Sequence, residues 1–207
     1  MSETRVNSID EAASKLELQP EVKYPNVGFF TGPEEPCRFE AEVYNCVVRG
    51  EIPKQIDGTY YRCMPDQLWA PLYDDDVYIN GDGAIDAIRI KDGHADFKQK
   101  FVRTEKFAIE RAARKSVFGK YRNRYTDDLR VRHKIHSTAN THVIYFEKQL
   151  LALKEDSLPY AMNPDTLETK GMQQPTNLMV YYDLHLIFHR CLQLPWTVHV
   201  PNVYSPP

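Results

Sequence analysis

Short runs of apolar and aromatic residues, separated by turn residues, dominate the first half of the chain. These runs are enriched in Val, Ile, Tyr and Phe, which is typical of β-strands. Strands are predicted at residues 42–49, 58–64, 76–80, 84–90 and 95–103. Lys91-Asp92-Gly93 joins the last two runs, and an Asp-Gly step between apolar runs predicts a hairpin turn.

A second hairpin is predicted further along the chain. Its strands are residues 139–146 and 150–154, joined by a turn at 147–149. Consecutive hairpins build an antiparallel meander, which is the unit of a β-propeller blade or of a β-sandwich. No internal repeat is clear enough to decide between the two architectures. The pattern therefore predicts an all-β fold of either kind.

Two short helices and a proline-bearing segment complete the predicted organisation. Residues 7–18 combine a capping Asn or Ser with apolar residues at helical spacing, and residues 104–116 place charged residues around Phe107 and Ile109. Residues 19–36 contain four prolines, a density that neither helices nor strands tolerate. This segment is predicted to wrap a larger body as an arm.

Composition excludes several classes of protein. The 207 residues are 42% hydrophobic and carry a formal net charge of −3, so charge indicates no particular partner. No run approaches the ~18 apolar residues of a membrane span. No basic stretch followed by an apolar one marks a secretory signal, so a cytoplasmic location is expected. The four cysteines are far apart, which predicts buried, reduced thiols rather than a disulfide framework or a zinc site.

Residues 110–134 form a basic segment with nine basic and three acidic residues, interspersed with Phe118, Tyr121 and Tyr125. Basic and aromatic side chains together suit single-stranded nucleic acid. The whole chain is acidic, however, and carries no nucleic-acid-binding motif, so a solvated surface is favoured and no nucleic-acid partner is expected. Gly81-Asp82-Gly83 lacks the spacing of a phosphate-binding loop and predicts a tight turn.

The histidines show no metal-binding pattern. His185 and His189 are four residues apart, but no glutamate completes a His-Glu-x-x-His motif. His133 and His136 lack further ligands at a known spacing. No residue is therefore predicted to bind a metal.

Five motifs occur in one order along the chain. They are GEIPKQIDGTYYR at 50–62, YINGDG at 78–83, FVRTE at 101–105, GKYRN with YTD at 119–127, and STANT with LLALKE at 137–155. Together they closely resemble the N-terminal part of the carotenoid cleavage oxygenase family, and particularly its fungal and bacterial lignostilbene dioxygenase branch. The resemblance runs from about residue 39 to residue 171.

The resemblance implies a seven-bladed β-propeller with short helical segments, of which this chain contains a part. It also implies a non-haem Fe(II) held by four histidines, with which the family splits an alkene by O₂ into two carbonyl products. The lignostilbene branch acts on phenolic stilbenoids. By motif, Tyr121 and Lys154 correspond to the residues that bind the substrate's 4-hydroxyl group, and Thr141 corresponds to a catalytic position near the iron. Ile79 replaces a phenylalanine of many members, which removes a ring-stacking role.

One family motif is missing from its expected place. The first iron ligand belongs to a Thr-Ala-His-Pro run downstream of the lysine, whereas residues 180–196 contain no His-Pro. At about 40–45 residues per blade, the chain supplies two or three blades. We therefore expect a truncated family member that holds no iron and is inactive as written.

Three segments are predicted on this basis: a helix and proline-bearing arm at 1–36, a partial propeller domain at 37–171, and a tail unlike the family at 172–207. The alternative function is a non-catalytic module that binds a phenolic ligand or a protein partner. Both functions would use Tyr121 and Lys154. The presence of one iron per chain would distinguish the oxygenase from the binding module.

Overall fold

The computed structural model describes residues 23–173, and its framework is two antiparallel sheets of four strands each. The strands are β1 (Ala41–Val43), β2 (Gly58–Asp66), β3 (Asp82–Lys91), β4 (His94–Phe101), β5 (His142–Phe146), β6 (Gln149–Lys154), β7 (Ser157–Met162) and β8 (Thr169–Met172). The described residues also contain the helix α1 (Glu105–Ala113) and four 3₁₀ helices (Gly28–Phe30, Gly32–Glu34, Tyr78–Asn80 and Arg124–Thr126). The predicted helix at 7–18 and nearly all of the predicted tail lie outside the described residues.

The two sheets confirm the predicted all-β fold and both predicted hairpins. The first sheet has the order β1-β4-β3-β2 and the second the order β5-β6-β7-β8. In the β3–β4 hairpin Asp92 and Gly93 have φ values of 51° and 81°, the left-handed pair that a two-residue type I′ turn requires. In the β5–β6 hairpin Phe146 pairs with Gln149, so the turn is one residue shorter than predicted.

The core lies between the sheets. Ile85 and Ala87 of β3 pack in one buried cluster with Leu150 and Ala152 of β6 and with Met162 of β7. Residues of both sheets therefore share one core. The sequence pattern does not predict β7 or β8, since a proline interrupts β7 and β8 has only four residues.

Helix α1 confirms the predicted helical insert and follows its capping residue. The Thr104 hydroxyl oxygen accepts a hydrogen bond of 3.0 Å from the Phe107 amide, which satisfies one of the free N–H groups of the first turn. Arg114 adopts the left-handed conformation, with φ of 54°, and ends the helix. Residues 114–116 therefore fall outside it.

The predicted strand at 76–80 is wrong. Tyr78–Asn80 forms a 3₁₀ helix, because side-chain bonds compete with the strand preference of Val77 and Ile79. The Asp76 carboxylate accepts from the Val77 amide at 2.9 Å and from the Asn80 side-chain amide at 2.7 Å. These bonds fold the segment back on itself.

Three further predictions are corrected. Asp82 and Gly83 begin β3 instead of forming a tight turn, and the Gly83 amide donates to the Thr138 carbonyl at 2.8 Å. The strand predicted at 42–49 ends at Val43, since Asn45 has a φ of 53° that an extended strand does not accommodate. Cys37 is exposed rather than buried, because it lies in the irregular segment before β1.

Candidate functional site

A cavity of about 470 Å³ opens where the loop after α1 meets the end of β6. Tyr121 lies on that loop and Lys154 is the last residue of β6, and both side chains line the cavity. The structure therefore brings together the two residues that the family resemblance assigns to substrate binding.

Buried side chains fix the backbone that carries Tyr121. The Tyr121 amide donates to Asp76 Oδ1 at 3.1 Å, and Asp76 Oδ2 accepts from Asn80 Nδ2 at 2.7 Å. Asn80 Nδ2 also donates to the Gly119 carbonyl at 2.9 Å, while the Gly119 amide donates to Asp127 Oδ1 at 2.7 Å. A Cβ on Gly119 would overlap Thr126, so the loop also depends on a residue without a side chain.

Lys154 is buried at a bulge in its strand. The pairing of β6 with β7 shifts register between Ala152 and Lys154, a feature that re-aims side chains in sheets. The Lys154 side chain is 2% exposed, and its Nζ lies 4.0 Å from Asp156 Oδ1, too far for a hydrogen bond. Within residues 23–173, Nζ has no hydrogen-bond acceptor. Nζ lies over the Tyr121 ring, 4.6 Å from the ring centre.

Burial changes the acidity of both groups. Desolvation lowers the pKa of Lys154, while the carboxylates of Asp156 and Glu155 oppose this shift. Desolvation also raises the pKa of Tyr121, so its phenol stays neutral. A cation held in a cavity without a bonded acceptor can donate to an oxygen atom of a ligand.

Part of the basic segment lines the same cavity. Arg122 lies 3.6 Å from the Asp156 carboxylate, and Lys134 forms a 3.0 Å ion pair with Glu105. Lys120, outside the cavity lining, pairs with Asp75. These pairings reduce the positive charge that the segment presents to solvent.

Thr141 stands apart from this cavity. Its amide donates to the Leu153 carbonyl at 3.1 Å, just before β5, and its hydroxyl group lies 3.3 Å from Glu155 Oε2. The side chain is half-buried and does not line the cavity. The catalytic role that the resemblance implies for Thr141 stays a prediction.

The described part of the chain does not fit a metal ion. Between residues 23 and 173, no group of three or more His, Cys, Asp or Glu side chains is arranged to bind one. His185 and His189 lie outside the described residues. Across the same residues, no helix has the length and apolarity needed to cross a membrane.

Sequence reasoning missed three residues of the site. The sequence pattern predicts a strand that contains Asp76 and Asn80, although the YINGDG motif already marks the position of Asn80. His136 lines the cavity, yet no pattern in the sequence relates it to Tyr121 or Lys154.

Comparison with known proteins extends these observations. Residues 34–189 match the protein family described as retinal pigment epithelial membrane protein. The chain belongs to the carotenoid cleavage oxygenase family. Among the family's curated members, resveratrol cleavage oxygenase 1 of Aspergillus fumigatus is 53% identical over 149 residues, which are 72% of this chain and 30% of that protein. Lignostilbene-alpha,beta-dioxygenase isozyme III of Sphingomonas paucimobilis is 45% identical over 148 residues, again 72% of this chain and 30% of that protein.

A solved member of the carotenoid cleavage oxygenase family confirms the partial-propeller prediction. The crystal structure of Pseudomonas brassicacearum lignostilbene dioxygenase matches with a TM-score of 0.71 and 37% identity, over 73% of this chain and 32% of that one. The two sheets therefore correspond to part of that propeller fold. The chain spans about 30% of the length of the curated relatives it matches. The division into an arm, a propeller part and a tail stays a prediction.

Proposed function

We propose that this chain binds the phenol group of a stilbenoid beside Tyr121 and Lys154, as part of an O₂-dependent oxygenase that cleaves an alkene. One observation carries the proposal: the buried Lys154 ammonium has no hydrogen-bond acceptor in the described structure and lies beside Tyr121 in a cavity. The names of the relatives support the substrate class, since they act on resveratrol and lignostilbene.

A phenol oxygen would satisfy the buried ammonium. A buried cation without a hydrogen-bond acceptor is unfavourable, and an oxygen that accepts its hydrogen bond offsets part of that cost. The phenol binds in its neutral form, and the nearby ammonium lowers the pKa of the ligand. Electron density moved from the phenol oxygen towards the conjugated alkene makes the double bond easier to oxidise. The family's Fe(II) and O₂ would supply the oxidation itself.

The location that we propose for this protein is the cytoplasm.

Calorimetric titration of the 207-residue chain with 4-hydroxystilbene tests the proposal. Because hydrogen bonds to charged groups contribute about 1.5–3 kcal/mol, Lys154→Met should weaken binding by at least about tenfold. Tyr121→Phe should weaken it by a smaller factor. Lys170→Met is the matched control, since Lys170 is exposed and outside the cavity. Equal affinities for Lys154→Met and Lys170→Met, or no binding by the unchanged chain, would overturn the proposal.

Iron content then separates the two functions that this site can serve. Elemental analysis of the purified chain should find roughly one iron per chain if it acts as the oxygenase itself. A chain that binds 4-hydroxystilbene with no iron would instead be a binding module.

A further inference from the structure

Three buried polar atoms of the cavity-lining residues have no hydrogen-bond partner anywhere in the described part of the chain. They are Asn80 Oδ1, His136 Nε2 and Lys154 Nζ. Buried polar atoms in folded proteins are almost always bonded, so each exception requires a reason. Three exceptions around one cavity point to a missing partner inside it.

The orientation of the Asn80 amide is fixed by its neighbours. Its Nδ2 donates to Asp76 Oδ2 at 2.7 Å and to the Gly119 carbonyl at 2.9 Å. Both partners are acceptors, so the nitrogen of the amide must face them and the oxygen must face away. Asn80 is 2% exposed, and its Oδ1 is therefore a buried acceptor that needs a donor.

His136 offers a second acceptor. Its ring packs on Phe118 with ring centres 4.9 Å apart, and its Nδ1 lies 3.7 Å from Asp127 Oδ1. Burial, together with the positive charges of Lys106 and Lys154, lowers the pKa of His136 to about 3, so the ring is neutral. The Asp127 carboxylate favours the tautomer with hydrogen on Nδ1, which leaves Nε2 as an acceptor.

We propose that Asn80 and His136 contact the polar end of the ligand and select a neutral hydroxyl group there. This inference rests on the proposed phenol-binding function and extends it to two residues to which the family resemblance gives no role. A hydroxyl group can both accept and donate a hydrogen bond, and the cavity offers a partner for each. Its oxygen accepts from Lys154, and its hydrogen is donated to Asn80 Oδ1 or His136 Nε2.

Other polar groups match this set of atoms less well. A methyl ether can accept from Lys154 but has no hydrogen for the two acceptors. A carboxylate would be attracted by Lys154, yet it would place negative charge against the lone pairs of Asn80 and His136. The arrangement thus distinguishes a phenol from its ether and from an aromatic acid.

Titrations with 4-hydroxystilbene, 4-methoxystilbene and stilbene-4-carboxylate test this selectivity on the full chain. The unchanged chain should bind the hydroxyl ligand about tenfold more tightly than the methoxy ligand, since the ether leaves a buried acceptor unpaired. His136→Phe retains a ring against Phe118 and should reduce this ratio at least threefold. His136→Gln restores an acceptor and should recover part of it. His133→Phe is the control, because His133 is exposed and outside the cavity.

The outcomes separate this inference from the function on which it rests. A hydroxyl-to-methoxy ratio that is the same in His136→Phe as in the unchanged chain, with Lys154→Met still weakening 4-hydroxystilbene, overturns the inference alone. Tighter binding of the carboxylate by the unchanged chain also overturns it, and this result does not depend on whether any variant folds. No binding of 4-hydroxystilbene overturns both.

Discussion

Lys154 Nζ lies 4.6 Å from the centre of the Tyr121 ring, and this contact joins the end of β6 to the loop that follows α1. A cation over an aromatic face is stabilised by the ring, by up to about 2 kcal/mol when both are desolvated. The contact leaves the hydrogen-bonding capacity of the ammonium unused. It therefore holds the two side chains in place while Lys154 stays available to a ligand oxygen.

Replacing Lys106 tests whether its buried ion pairs hold α1 to the first sheet. Lys106 Nζ donates to Asp82 Oδ1 at 2.9 Å and to Glu110 Oε2 at 2.7 Å, and all three side chains are buried. Lys106→Met would leave two buried carboxylates without their cation, so the free energy of unfolding should fall by about 3–5 kcal/mol. Denaturant unfolding measures it. A loss as small as that of the exposed Lys170→Met would contradict this account.

Gly83 tests how closely β3 approaches the segment that precedes β5. A Cβ at this position would overlap the carbonyl oxygen of Ala139, which belongs to rigid backbone. Gly83→Ala should therefore lower the free energy of unfolding by about 1–3 kcal/mol or more. At Gly28 a Cβ would meet nothing within 4 Å, so Gly28→Ala is the matched control. Similar thermal midpoints for the two variants would refute the predicted clash.

The cap of α1 gives a smaller expected effect. Thr104→Ala removes the hydroxyl that accepts from the Phe107 amide, and the unfolding free energy should fall by about 1 kcal/mol. Thr104→Ser keeps the acceptor and should recover most of this loss. If the serine variant were no more stable than the alanine variant, the hydroxyl would not be the cause.

His136 predicts a pH dependence of stability. Its pKa is about 3 in the folded protein and 6.5 in the unfolded chain. The unfolded state therefore binds a proton below pH 6.5 that the folded state does not. The stability that the neutral ring contributes is complete above pH 6.5 and is lost as the pH falls towards 3, by about 1.4 kcal/mol per pH unit.

The unfolding free energies of the unchanged chain and of His136→Phe, measured from pH 7 to pH 4, isolate this contribution. The difference between them should change with this slope, whereas His133→Phe should follow the unchanged chain. Parallel curves for all three would show that His136 is protonated in the folded state as readily as in the unfolded one.

Local signals explain which parts of the fold can be predicted from the sequence. The Asp-Gly turn and the Thr104 cap act within a few residues, so the hairpin and the helix follow from their sequences. Asp76 and Gly83 depend on partners far along the chain, namely Tyr121 and Ala139. Such contacts leave no local pattern, which is why the strand and the turn predicted there are wrong.

The residues of the candidate site fall into the same two groups, those with a local sequence signal and those without one. Tyr121 and Lys154 can be predicted because each lies in a short, contiguous family motif, although residue type alone favours a solvent-exposed lysine at the end of a hairpin. The burial of Lys154 follows from the bulge in β6 and from the Tyr121 loop, neither of which is visible in the sequence. His136 becomes part of the site only through the packing of its ring on Phe118.

The most direct test of the phenol site observes the Lys154 ammonium itself. In a ¹⁵N-labelled chain, the Nζ–Hζ signal that disappears in Lys154→Met should shift when 4-hydroxystilbene is added. The signal of Lys106, which is buried but bonded to Asp82 and Glu110, should stay in place. A Lys154 signal that does not move while the ligand binds elsewhere would contradict the account.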